Sequence, residues 1–230
     1  MMRVQKYLSE QGILSRREAE RYLVQGLIKI NGVVVKELGT QIDPLKDKVE
    51  VLKAKGAGKK NITIAYYKPR GISSMKNDEG GETILDIIPD EFKGLNPVGR
   101  LDKESEGLIL LSNDGVVTAV VTGEKHEVEK EYEVVVREDI KPRYIRKFEE
   151  GIMLEDGMTL PAKAEMLDPN SFNIILKEGR RHQIRRMAAK LNLTILRLKR
   201  VRVGSIKLGS IGEGKYRVLP EAEVEKLKKL

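Results

Sequence analysis

Eight residues, Lys53-Ala-Lys-Gly-Ala-Gly-Lys-Lys60, divide this 230-residue chain more sharply than any other feature. They are small, basic and glycine-containing, with no large side chain to bury and little to hold one conformation. The expected organisation is a module at 1–52, a linker at 53–60 and a larger unit at 61–230. The length suits one medium domain and one small one.

The first module shows clear local signals. Val4, Tyr7 and Leu8 sit at helical spacing. Ser15-Arg-Arg-Glu18 is a capping box, in which the serine hydroxyl accepts from the third helical amide and the glutamate reaches back. The helix it opens is expected to run to about Gln25, with Ala19, Tyr22 and Leu23 as its apolar face and Gly26 as its stop. Leu27 to Val35 reads as two short strands around an Asn31-Gly32 hairpin turn, and Lys48–Leu52 as one more strand.

Residues 61–230 mix strands and helices. Strands are expected at Ile62–Tyr67, Leu108–Leu111, Glu131–Arg137, Ala162–Leu167, Phe172–Leu176 and Ile195–Val203. Helices are expected at Val116–Thr122, Pro142–Gly151, His182–Leu191 and Glu221–Leu230. Strands that often follow one another directly imply a mixed, largely antiparallel sheet and an α+β class. Gly209-Ser-Ile-Gly-Glu-Gly-Lys215 fits a phosphate-loop pattern up to its last position, where Tyr216 has no small hydroxyl for magnesium; it reads as a turn between strands.

Composition removes several kinds of chemistry. There is no cysteine, so disulfides, thiolate nucleophiles and Cys-based zinc sites are excluded, and two histidines cannot build a His-rich metal site. No run of about 18 uncharged apolar residues is present, so no membrane-spanning helix is expected. No apolar signal segment follows Met1, and a cytoplasmic location is expected. The net charge is +8, unevenly spread. Residues 177–202 hold ten Lys/Arg against one acid, Glu178, and residues 1–60 hold thirteen against seven. Two separated basic patches point to a long polyanion gripped at two places.

The chemistry is carried by Gly99-Arg-Leu-Asp102, followed by Ser105-Glu-Gly-Leu-Ile-Leu-Leu111. This string resembles the catalytic motif of pseudouridine synthases, in particular the RsuA-type branch that modifies ribosomal RNA. Three further segments match that family in order: Tyr67-Lys-Pro-Arg-Gly-Ile-Ser-Ser74, Lys130-Glu-Tyr-Glu-Val134 and Glu178-Gly-Arg-Arg-His-Gln-Ile-Arg-Arg-Met187. Leu196 to Gly204 matches its closing strand. Residues 3–52 resemble the RNA-binding domain first known from ribosomal small-subunit protein four, through Ser15-Arg-Arg-Glu-Ala-Glu20 and Gly26-Leu-Ile-Lys-Ile-Asn-Gly32. The fold implied is a small α/β RNA-binding domain followed by a mixed-sheet catalytic domain.

The resemblance implies a role for each matching residue. Asp102 would be the essential carboxylate, acting on the ribose of a target uridine as nucleophile or as base; Tyr132 would stack on the uracil; Arg185 would pair with Asp102 and keep it ionised. Arg100, Leu101 and Leu198 would line the substrate pocket. Ser15, Arg16, Arg17, Arg21, Lys29 and Asn31 in the first module, with Arg180, Arg181, His182 and Arg186 in the second, would contact RNA. The isomerisation breaks a carbon–nitrogen glycosidic bond, turns the free uracil and rejoins it through ring carbon five, with no net oxidation or hydrolysis. No metal or cofactor is therefore expected; the implied partner is ribosomal RNA, with transfer RNA as an alternative, and the implied state a monomer. The competing reading is a non-catalytic RNA-binding or ribosome-assembly protein on the same scaffold, which would have lost at least one of Asp102, Tyr132 and Arg185.

Overall fold

A computed structural model describes residues 1–11, 13–52, 61–75, 80–123 and 126–230; the expected linker at 53–60 lies outside the described residues. The N-terminal module runs β1 (Met2–Arg3), α1 (Val4–Glu10), α2 (Arg16–Val24), β2 (Ile28–Ile30), β3 (Val33–Val35), β4 (Gln41–Ile42) and β5 (Val49–Val51). Ser15 caps α2 as the spacing requires: its Oγ accepts from the Glu18 amide at 3.2 Å and the Ser15 amide donates to Glu18 Oε2 at 3.0 Å. β2 lies between β3 and β5, and Asn31 and Gly32 turn the β2–β3 hairpin at φ 51° and 82°. Val4, Leu8, Ala19, Leu23, Ile28 and Ile42 form its closed core.

The second unit continues with β6 (Thr63–Lys68), α3 (Ile84–Ile87), a 3-10 turn (Asp90–Phe92), β7 (Asn96–Val98), β8 (Glu106–Ser112), α4 (Gly115–Thr122), β9 (Lys130–Val136) and α5 (Pro142–Glu150). It then adds β10 (Met153–Leu154), β11 (Gly157–Met158), β12 (Lys163–Asp168), β13 (Ser171–Leu176), α6 (Gln183–Lys190), β14 (Ile195–Val203), β15 (Ile206–Lys207), β16 (Tyr216–Val218) and α7 (Glu221–Lys228). Every long element expected from periodicity is present within a few residues. The unexpected ones, such as α3, β7, β10, β11 and β16, are two to four residues long, too short for any periodicity to show. The segment read as a turn, Gly209 to Lys215, does join β15 to β16.

One sheet organises this unit, in the order β12-β13-β9-β14-β8-β6-β16, with β7 added on β8 and β15 on β14. Every pairing in it is antiparallel except β14 with β8. β8 is buried along its whole length, which explains its continuous apolar run. Its Leu108 and Leu110 face α4 and α7, and its Ile109 and Leu111 face α3 and the 3-10 turn. The other half of the sheet buries Val134, Phe172, Ile174 and Leu198 against α5 and α6.

Gly107 stands where the two halves meet. It turns at φ 100°, and a β-carbon there would sit 2.3 Å from the Arg200 carbonyl of β14. Only glycine permits both the backbone angle and the approach. Gly107→Ala is expected to separate β8 from β14 and to cost about 3 kcal/mol or more, measured from urea unfolding midpoints; a loss below about 1 kcal/mol would show that the join adapts.

Candidate active site

Gly99-Arg-Leu-Asp-Lys-Glu-Ser105 joins β7 to β8. Five consecutive carbonyls of this segment each accept a hydrogen bond. Arg100 O accepts from Arg200 Nη1 at 3.4 Å, and Leu101 O from Ser74 Oγ at 2.7 Å. Asp102 O accepts from the Ser105 amide at 3.0 Å, and Lys103 O from the Gly71 amide at 2.8 Å. Glu104 O accepts from Arg185 Nη2 at 2.8 Å. The Leu101 amide returns a bond to Ser74 Oγ at 2.9 Å. Four of these donors come from elsewhere in the chain: the turn after β6, β14 and α6. Each bond contributes roughly 1 kcal/mol, and together they immobilise the backbone that bears Asp102. Its side chain is left 32% exposed.

The other candidate residues converge on this loop. Tyr132, on β9, packs both against the cluster containing Leu101 and against the cluster containing Leu198. Leu101 and Leu198 are buried walls. Arg185 rises from the first turn of α6, but its guanidinium engages the Glu104 carbonyl and Ser105 Oγ (3.3 Å) and is not within ion-pair distance of the Asp102 carboxylate. The expected direct pair is thus replaced by a hold on the loop. Asp102 still acts on Arg185 at longer range: burial lowers the guanidinium's pKa, and Asp102 opposes that. The contact to Asp102 Oδ1 comes from His182 Nε2, at 3.5 Å. Arg100 is exposed and contributes its held carbonyl rather than a pocket wall. A carboxylate, an aromatic ring and apolar walls on a rigid frame are what a flipped-out base and its ribose would require. Among the described residues, no three His, Asp or Glu side chains converge to hold a metal ion.

A family model described as RNA pseudouridylate synthase matches residues 62–190, and a model of the S4 domain matches residues 2–48. The chain belongs to the RNA pseudouridylate synthase family. It is 35% identical over 237 residues to ribosomal large subunit pseudouridine synthase B of Bacillus subtilis, covering 100% of this chain and 97% of that one. It is equally 35% identical over 235 residues to ribosomal small subunit pseudouridine synthase A of Haemophilus influenzae, covering 99% and 100%. A crystal structure of a pseudouridylate synthase superposes with a TM-score of 0.73 at 33% identity, covering 99% and 100%. No helix among the described residues is long and apolar enough to cross a membrane.

The synthase fold corrects the reading of the second basic patch. In sequence, residues 177–202 have almost no balancing acid; in space, acids from elsewhere meet most of the charge. Arg197 pairs with Glu106, Arg202 with Glu129 and Glu131, Lys177 with Glu127, and Lys199 with Glu133. Arg186 makes a two-pronged pair with Asp156 at 2.9 and 3.0 Å. Arg180 bonds Glu178 and the carbonyls of Gly157 and Met158. These two arginines, expected on RNA, clamp the β10–β11 hairpin. Arg200 is buried, donating to the carbonyls of Leu108 and Arg100. Among the described residues, Arg181 alone of the ten has an exposed side chain with no partner.

In the N-terminal module two further expectations change. Ser15 spends its hydroxyl on the capping box. Asn31 donates to Asp47 Oδ1 and accepts from the Lys48 amide, both at 2.9 Å, so it ties the hairpin turn to the next loop. Arg16, Arg17 and Arg21 are exposed, and Lys29 is half-buried. The three arginines line a cleft of about 1230 Å³ between α2 and α4, faced by Asn96, Thr118 and His126.

Sequence reasoning missed Lys68, Ser74 and Arg200 as parts of the site. Lys68 and Ser74 stand inside the matched Tyr67–Ser74 motif, which was the available signal. Lys68 is wholly buried, and its Nζ donates to the carbonyls of Pro69 and Ile72 at 2.7 Å and of Lys103 at 3.5 Å. Burial pushes its pKa down to about 8, against the pull of Asp102, Glu104 and Glu106.

That shift makes stability depend on pH. Between about 8 and the 10.5 of an ordinary lysine, the folded state binds fewer protons than the unfolded state. Stability is therefore expected to rise as pH climbs through that window, by up to about 3 kcal/mol. Measured as the difference between wild type and Lys68→Met in urea, this rise should disappear in the variant; equal pH slopes would mean Lys68 stays charged.

The salt dependence of RNA affinity tests the corrected patch. Arg181→Glu should reduce the log–log slope by about 0.7 or more. Arg186→Glu should leave the slope unchanged while lowering stability. Equal loss of slope in both variants would return Arg186 to the RNA surface.

Proposed function

We propose that this synthase isomerises a uridine in large-subunit ribosomal RNA, with Asp102 as the essential carboxylate. The observation that carries the reading is the loop itself: a partly exposed carboxylate on a backbone whose carbonyls from Arg100 to Glu104 are all anchored. Such rigidity serves a reaction in which one oxygen must meet one ribose atom. The target base leaves its stack, at a cost of a few kcal/mol, and enters between Tyr132 and the walls of Leu101 and Leu198. Asp102, as nucleophile or base at the ribose, opens the glycosidic bond and is released unchanged when the uracil has turned and carbon five bonds to the ribose; carbon five gives up its proton and the freed ring nitrogen one takes one up, so the product is an isomer of the substrate. Tyr132 stacks on the base throughout. Arg185 acts by holding the loop through Glu104 and Ser105.

The N-terminal module, separated by the linker at 53–60, supplies affinity and placement through Arg16, Arg17 and Arg21. Large-subunit RNA is favoured by the pattern of Tyr22-Leu-Val-Gln-Gly26 with His126–Tyr132 and by the Bacillus relative. Small-subunit RNA is the second reading, supported by the equally similar Haemophilus relative. Either substrate places the reaction in the cytoplasm. Mapping pseudouridines in RNA from cells lacking the protein separates the two.

Asp102→Asn keeps the shape and removes the charge. It is expected to abolish tritium release from uridine labelled at ring carbon five while RNA binding survives. Release at the wild-type rate by the variant would defeat the assignment.

A further inference from the structure

His182 adopts a left-handed backbone, φ 52°, immediately before α6. That conformation is uncommon outside glycine, and where a fold enforces it the reason is often a functional site. Here the turn is over-determined. The Arg180 amide donates to Gln183 Oε1 at 3.0 Å, Gln183 Nε2 donates to Glu178 Oε1 at 2.6 Å, and Arg186 Nε donates to the Arg181 carbonyl at 3.0 Å. Arg180 fastens the whole turn to β11 through the Gly157 and Met158 carbonyls. The effect of this bracing is to deliver one imidazole to one carboxylate: Nε2 lies 3.5 Å from Asp102 Oδ1.

The anchored carbonyls fix the Asp102 backbone but do not hold its carboxylate. Among the described residues, no side chain other than His182 comes within ion-pair distance of it. Arg185 gives its Nη2 to Glu104 and Ser105 while its buried Nε has no partner, and Lys68 is committed to three carbonyls. The remaining charges beside the pair, Arg70 and Glu104, bond each other at 3.0 Å.

We propose that His182 is a positioning residue: its imidazole Nε2 holds Asp102 Oδ1 and so directs the other carboxylate oxygen toward the ribose. This rests on Asp102 being the essential carboxylate, and it replaces the RNA contact read from the sequence.

His182→Gly is the informative variant, because glycine accepts φ 52° and only the imidazole is lost. Turnover at saturating RNA is expected to fall about 10²-fold, with RNA affinity nearly unchanged. Imidazole added to the buffer should restore part of it. His182→Asn, which tolerates the same backbone and keeps an amide donor, should retain more turnover than the glycine variant. The chain has only two histidines, so the His182 ring nitrogens are assignable by their loss in His182→Gly. At fixed pH in the free protein, Asp102→Asn should move the His182 Nε2 resonance and leave His126 in place. Full turnover in His182→Gly, a loss confined to affinity, or an unmoved Nε2 resonance would each overturn the proposal. The resonance experiment needs no activity. Its failure is therefore distinct from failure of the Asp102 assignment, which tritium release by Asp102→Asn reports.

Discussion

The site depends on one constraint: a loop that has no secondary structure of its own is held by its carbonyls. A loop normally satisfies these groups with water and remains mobile. Between Arg100 and Glu104 the chain instead directs each carbonyl to a protein donor, and the donors include three cationic side chains, Lys68, Arg185 and Arg200. Burial lowers the pKa of Lys68 and of Arg185. Lys68 is fully enclosed and Arg200 nearly so, and neither donates to a carboxylate. The sheet accepts this because the same groups stitch the turn after β6, β14 and α6 to one point. The parallel β8–β14 join, made possible by Gly107, brings those three elements within reach.

A second consequence is that positive charge in this protein has two uses. Much of the arginine and lysine in residues 177–202 works structurally, pairing with acids on β8, β9, the Glu155–Asp156 turn and Glu178. Within 177–202 the exposed, unpartnered cation among the described residues is Arg181; Arg100 and Lys103 are exposed on the loop beside Asp102, and Arg16, Arg17 and Arg21 are exposed on the N-terminal module. Those three line the cleft between the module and α4, so the module's basic helix and the catalytic unit share one recess. Pairs such as Arg197–Glu106 are individually weak in stability when exposed. Their larger effect is to remove charge from the surface that RNA would meet.

What the sequence by itself determined is considerable. Hydrophobic periodicity placed the long strands and helices, because each needs a repeating apolar face. The Ser15–Glu18 box and the Asn31-Gly32 turn were legible because capping and left-handed turns depend on residues a few positions apart. The family motifs singled out Asp102, Tyr132 and Arg185 as candidates. What only the tertiary structure decided is who partners whom. A window count of charge cannot see that Glu106 lies beside Arg197, ninety-one residues on, or that Asp156 meets Arg186. Nor could any local pattern show that Arg185 grips a carbonyl while His182 faces the carboxylate. That choice rests on a strained turn braced by Arg180, Gln183 and Glu178, and on a loop fixed by donors up to a hundred residues away. Hydrogen bonds act over three ångströms whatever the sequence separation, and so the partners of a charged side chain are a property of the fold and not of the string.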